Sequence, residues 1–478
     1  MTDDPYLAFS RFGLGPRPGD LSAIGPDAKA ALIAELADPT ALFIADADLP
    51  GTVDAYTQVR QFQQARKMAK QASAAPSAMA AGAGSMSAMS NGLPAATIDK
   101  HGKLTVPGVM SPQDLMNAEI AARLDRVRAT AIGFGERLVG FWANHFAVQA
   151  AADEVVRGLA GAFEREAIRP YVLGKFGDMA LAATQHPAML MSLNNATSIG
   201  PNSPQGKRSG KGLNENHARE LMELHTVGVD AGYAQADVTS FAKVLTGWTF
   251  GRAENAPEIY GRFVFRPQAH EPGPQTVMGK TYPQKGLDQG LAVIADLAAH
   301  PATAQHIALQ LARYFVADAP APTLVKRLAD TFRQSGGDLR AVTLALVNAP
   351  EAWSAPADKL RLPQEFLWSA VRALDLDSTP NFVNRTLADL GQPLWNPPSP
   401  QGFKDDAATW LAPDAMTTRL DTAELMAAEA RGSGDPRQLA ADLLGTTLSA
   451  DTRTAIDRAE SRTQAIALLL MSPEFQRR

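Results

Sequence analysis

Residues 214–225, NENHARELMELH, hold three carboxylates, two imidazoles, one guanidinium and two carboxamides among three Leu or Met side chains and an alanine. Groups of these types serve as general acids and bases, metal ligands and anion anchors. At about 100° per residue, Asn216, Glu220 and Glu223 share one helical face, with Arg219 beside them. His217, Leu221 and Leu224 form the neighbouring apolar face, and His225 points roughly opposite Glu223. A regular helix cannot bring those last two to one ion unless its final turn unwinds. Asn214 is the expected N-cap, Glu215 suits the positive end of the dipole and Gly228 suits C′. The helix should therefore end near Thr226 or Val227.

The spacing fails HExxH, because the histidines are eight apart, and it lacks the Glu-x-x-His of ferritin-like di-metal bundles. Charge-rich helix faces are usually solvated, with Glu220 and Glu223 paired to Arg219 or to bases on adjacent helices. Glu220 nevertheless lies only about 40° from Leu224. A carboxyl at the edge of a buried stripe has its pKa raised toward the acid–base range. Elsewhere, FWANHF (141–146) sets Asn144 and His145 among aromatic and small residues, where a histidine is more often a hydrogen-bonded core group. His270 and Glu271 form a polar pair in a Pro/Gly loop. Trp248, beside Gly247, is either a stacking platform or ordinary packing. The basic loop GPNSPQGKRSGKG (200–212) is phosphate-friendly in composition but is no P-loop, with Gln205 and Gly212 out of pattern. The chain has no GxSxG elbow and no dinucleotide fingerprint after a strand.

Helices must position these groups. Ala and Leu recur at helical spacing over 26–48, a second helix fits 53–73, and helical patterning resumes at 111 and runs to the C-terminus. Ser111, with Asp114 three residues on, is a variant of the capping box. The stretches 286–317 and 322–353 read as helical hairpins turned by Pro or Gly-Gly. Alternation in EIYGRFVFRP and PQTVMGKTYP predicts a small β-hairpin around 259–282. Residues 74–97 are small, almost uncharged and aperiodic. The expected organisation is an N-terminal helical segment (1–73), a low-complexity loop or linker (74–110) and a main helical domain (111–478), together one continuous unit. The fold class is mainly α, a large multi-helix globular domain.

The 478 residues, 45% hydrophobic and 20% charged, are enough for a sizeable core. A net charge of −5 without a basic stripe argues against nucleic acid as a partner. Zero cysteines exclude disulfides, thiolate nucleophiles and Cys-ligated metals. The longest apolar run near the C-terminus, AIALLLM (465–471), is far below the roughly 20 residues of a membrane span. MTDDPYLAFSRFGLGPRPGD shows no signal peptide, so the default expectation is a soluble, cytoplasmic protein.

Several segments together resemble one bacterial family, domain of unknown function 1800 (DUF1800). They are FWANHF, HPAMLMSLNN, GLNENHARELMELHTVGVDAGYAQADVTSFAKVLTGWTF, LGQPLWNPPSPQGF and the closing LLLMSPEFQ. The resemblance runs from AFSRFGLGPRP to the last residues and implies no settled activity. Members are often exported and encoded beside a phosphatase/sulfatase-like protein, which implies such a partner and a periplasmic location. His217 stands where the family usually has Tyr, and Ala143 where FWHNHF has its first histidine. Among the matching positions, Asn144, His145, Asn214, Glu215, Asn216, Arg219, Glu220, Glu223, His225, Trp248 and His270 imply a shared polar pocket or a buried structural network.

Two functional readings follow. In the first the protein is a hydrolase. Glu220, Glu223, His145 and His270 are catalytic, and Asn144, Asn216, Arg219 and Trp248 hold a polar, sugar-like small molecule. His145, Glu220, His225 and His270 are then candidate ligands for a divalent metal, Zn, Mn or Mg, unless the chemistry is metal-free. In the second the protein is a non-catalytic helical scaffold or partner-binding protein, and the polar block is an internal network.

Overall fold

The computed structural model describes residues 4–44, 48–74, 96–98, 104–210, 212–252, 256, 258–430, 432 and 434–478. The expected mainly α architecture is observed. The helices that build the site, in chain order, begin with α1 (Thr52–Ala74), α2 (Pro112–Ala129), α3 (Phe134–His145) and α4 (Glu154–Phe163). Next is α5 (Asn216–Glu220), which runs on as a π turn over Leu221–His225. Then come α6 (Gln235–Val244), α7 (Leu287–Ala299), α8 (Pro301–Phe315) and α9 (Pro363–Leu374).

Local chemistry explains their ends. Ser111 Oγ accepts from the Asp114 N–H at 3.1 Å and Asp114 Oδ2 accepts from the Ser111 N–H at 3.1 Å, so the predicted capping box starts α2. A distant carboxylate starts α3. Glu35 accepts from the backbone N–H groups of Ile132 (2.7 Å), Gly133 (3.0 Å) and Phe134 (2.7 Å), where three unpaired donors and the dipole favour an anion. The turn between α7 and α8 has His300 before Pro301, and the ring Nδ1 accepts from the Ala302 N–H at 3.1 Å.

Three two-stranded antiparallel sheets pair β1 (Thr97–Ile98) with β2 (Leu104–Thr105), β3 (Trp248–Phe250) with β4 (Phe263–Phe265), and β5 (Gln275–Val277) with β6 (Lys280–Tyr282). The predicted hairpin region is thus β, with a different pairing. FVF pairs backward onto WTF, and QTV–KTY closes on itself through Met278 (φ +49) and Gly279 (φ +76). Two successive positive φ values suit the right-handed twist of a two-residue hairpin. Most of the low-complexity stretch, residues 75–95 and 99–103, lies outside the described residues.

A single contiguous hydrophobic cluster runs from Tyr6 to Phe475. The N-terminal segment is stitched into it by Arg11, whose guanidinium donates to the carbonyls of Ala352 (2.7 Å), Ala355 (2.9 Å) and Pro356 (2.9 Å). Among the described residues, no helix is long and apolar enough to cross a membrane.

Candidate functional site

NENHARELMELH begins one residue later than expected, with Glu215 at the N-cap position and Asn216 the first helical residue. Asn214 Oδ1 accepts from the Asn216 N–H at 2.9 Å, and Gly228, at φ +84, donates its N–H to the Met222 carbonyl at 3.0 Å. A Cβ at Gly228 would stand 3.0 Å from His306 Nδ1, so close packing as well as φ favours glycine there. The end of the helix differs from expectation. Its last turn is π, the helix stops at His225, and the turn swings His225 inward. The His225 ring lies 5.0 Å from Phe146 and 5.7 Å from His145, centroid to centroid, while Glu223 stays on the partly exposed side.

The π turn leaves carbonyls in need of donors. His145 Nε2 donates to the His225 carbonyl at 3.1 Å, and His306 Nε2 donates to the Leu224 carbonyl at 3.0 Å. Gln310 lies between the two rings, with Oε1 2.8 Å from His145 Nδ1 and Nε2 3.0 Å from His306 Nε2. That orientation sets two donors against each other and asks His145 to carry two protons. Turning the amide over resolves both conflicts, because Gln310 then donates to a neutral His145 Nδ1 and accepts from His306. Neutrality fits the surroundings. Burial, and then His306, pushes the His145 pKa down to about 4. Burial followed by His145, His217 and His306 drives His225 well below the usual range.

The opposite side of α5 carries the carboxylates. Arg219 bonds Glu223 (3.3 Å), Glu215 (3.2 Å) and Gln235 (2.9 Å), and Asn216 is exposed. Burial, and then the Glu223 charge, raises the Glu220 pKa. Burial and Glu223 likewise push nearby Tyr233 up to about 12.

The other sequence candidates sit elsewhere. His270 Nδ1 lies 3.1 Å from the Thr246 carbonyl and the ring packs on Phe265. Glu271 accepts from the Asn202 N–H (2.8 Å) and amide (2.6 Å), pinning loop 200–202. Trp248 is 0% exposed against Gly290, where a Cβ would come within 2.3 Å of its ring. This corrects the stacking-platform reading, because a stacking face must be reachable and this one is filled by α7. Asn144 clamps a loop, donating to the Phe403 carbonyl at 2.9 Å and accepting its N–H at 2.7 Å.

The sequence candidates therefore fall into three separate neighbourhoods. His145 meets His225 inside, Glu220 and Glu223 lie outside with Arg219, and the described contacts of His270 reach none of them. Among the described residues, no group of three or more His, Cys, Asp or Glu side chains is placed to hold a metal ion. Sequence reasoning missed His306 and Gln310, which read as ordinary positions of an amphipathic helix.

It also missed a buried ionic layer. Arg123 meets Glu164 at 2.5 Å, Arg169 meets Glu164 (2.8 Å) and Glu136 (2.7 Å), and Trp395 Nε1 donates to Glu164 at 2.9 Å. The available hint was Glu119 and Arg123, four apart within the apolar stripe of α2.

The fold and its polar interior define a mainly helical protein held together by imidazole caps and buried ion pairs. The chain belongs to the family described as protein of unknown function (DUF1800), whose model matches residues 7–477. No curated protein and no solved structure matches it.

Proposed function

We propose that the protein is a non-catalytic helical scaffold that binds a partner, and that its signature block is an internal network. One observation carries this: His145 and His306 spend their Nε2 protons on the carbonyls of the π turn at His225 and Leu224. An imidazole whose proton caps a helix end is withdrawn from proton transfer. The same economy recurs, since His186 and His300 accept backbone N–H groups and His270 meets a backbone carbonyl. The partner implied by the family resemblance is a phosphatase/sulfatase-like protein. Co-expression followed by size-exclusion chromatography checks for a joint peak.

A second reading, a hydrolase on the outer face, has its own support in the raised Glu220 carboxyl beside Glu223. One screen separates the two. Wild type and Glu220→Ala are assayed against phosphate, sulfate, acyl and glycosyl esters, with and without Zn, Mn or Mg. The scaffold reading expects no turnover that depends on Glu220, and Glu220-dependent turnover overturns it.

A further inference from the structure

Beside Asn144, a narrow cleft of about 50 Å³ lies between α2, α3, α8, α9 and the loop that carries LGQPLWNPPSPQGF. Arg123, Tyr314 and Glu365 form its polar wall, and Leu394, Trp395 and Phe403 its apolar wall. Glu365 is already satisfied, with Arg137 at 2.9 Å and Arg478 at 2.8 Å. Arg123 is not. It is 4% exposed, Nη1 is held by Glu164, and Nε makes no hydrogen bond among the described residues. Nε is enclosed by protein, so what the cleft meets is the Nη2 side of the guanidinium beside Gly140, a charged donor that suits an oxyanion acceptor.

Gly140 leaves the approach open. A Cβ there would stand 3.7 Å from both Arg123 Nη2 and Tyr314 Oη, so the two donors converge on one spot. Tyr314 keeps its proton, because burial raises its pKa. Trp395 is held at φ +50, a costly backbone conformation for a bulky residue. Its indole bond to Glu164 and its carbonyl bond from the Ala150 N–H (2.9 Å) fix the apolar wall in place. A wider groove that shares Pro397 and Phe403 with the cleft is lined also by Pro393, Pro398 and Trp410.

We propose that this cleft binds a small amphipathic carboxylate. The head group lies on Arg123 and Tyr314, where a planar oxyanion matches the guanidinium edge, and the tail runs along Leu394, Trp395 and Phe403 toward the groove. The site serves a scaffold or an enzyme equally. Its failure leaves the imidazole-cap argument standing, and Glu220-dependent turnover leaves the cleft standing.

The test is thermal unfolding of the full chain in sodium acetate, butyrate or hexanoate, against sodium chloride, sodium phosphate and hexanamide at matched concentration. Saturable increases in Tm that grow from acetate to hexanoate, and are absent with the three controls, are expected. Gly140→Ala adds one methyl at ordinary contact distance in a helix, so it should fold with an unchanged or higher Tm in chloride. Its apparent Kd for hexanoate should rise at least 10-fold. Arg123→Lys should also lose the response, and if it fails to fold, Gly140→Ala decides alone. Equal shifts in chloride and hexanoate, a response to phosphate alone, or full hexanoate binding by Gly140→Ala would each overturn the proposal.

Discussion

His217 shows what burial does to a single side chain. It is 1% exposed, neither ring nitrogen has a hydrogen-bond partner among the described residues, and burial pushes its pKa down to about 3. A buried polar group without a partner costs about 1–3 kcal/mol, so His217→Leu, similar in volume, should raise unfolding free energy by about that much in urea titration. The pH dependence follows from the same environment. An unfolded imidazole titrates near 6.5, whereas His145 and His217 titrate at about 4 and about 3 in the fold. Between those values the unfolded chain binds protons that the folded chain refuses. The stability is fully present above pH about 6.5 and falls as the pH drops toward 4, by about 1.4 kcal/mol per pH unit for each imidazole. His217→Leu should flatten that slope between pH 4 and 6 by one proton's worth; an unchanged slope would show that His217 is not buried and neutral.

Among elements, the short clamps matter more than the helices they join. Asn144, at the end of α3, makes both of its amide bonds to Phe403 and thereby hangs the LGQPLWNPPSPQGF loop on that helix. Asn144→Ala removes two bonds, expected to cost about 1–3 kcal/mol. It should speed proteolytic cutting within 391–403 while far-UV circular dichroism stays constant. His306→Leu would orphan the Leu224 carbonyl, and a loss of about 1–3 kcal/mol is expected in denaturant titration. No loss would mean that the π turn satisfies its own carbonyls. The sequence anticipated Gly228 and, to within one residue, the start of α5. It could not anticipate the π turn, because the donors that make it tolerable come from α3 and α8.

Across the whole molecule, charge works differently inside and outside. Burial opposes the charge of Glu164, but Arg123, Arg169 and the Trp395 N–H outweigh it and hold its carboxyl below the usual range. Glu164→Gln strands the buried Arg123 guanidinium and leaves Arg169 with Glu136 alone, and should cost about 3–5 kcal/mol, with little dependence on salt. Glu223→Gln breaks the partly exposed pair with Arg219 and keeps an acceptor for Tyr233, and should cost well under about 1 kcal/mol, a loss that fades as salt rises. Similar costs for the two variants in matched denaturant titrations would refute this division.

Periodicity alone determined the mainly α class, the Ser111 capping box, the β character of 259–282 and the inward face of His217, because each depends on neighbours within a few residues. The polar character of FWANHF and NENHARELMELH was equally legible, and so was their membership in one family pattern. What those groups do was decided by packing. The Trp395–Glu164 bond spans 231 positions and the Asn144–Phe403 clamp 259. No local pattern encodes such pairings. His145 meets the His225 carbonyl only because the π turn is packed against it. The free energy of a buried polar group is set by the partner the fold supplies, and that partner is absent from the residue's own stretch of sequence.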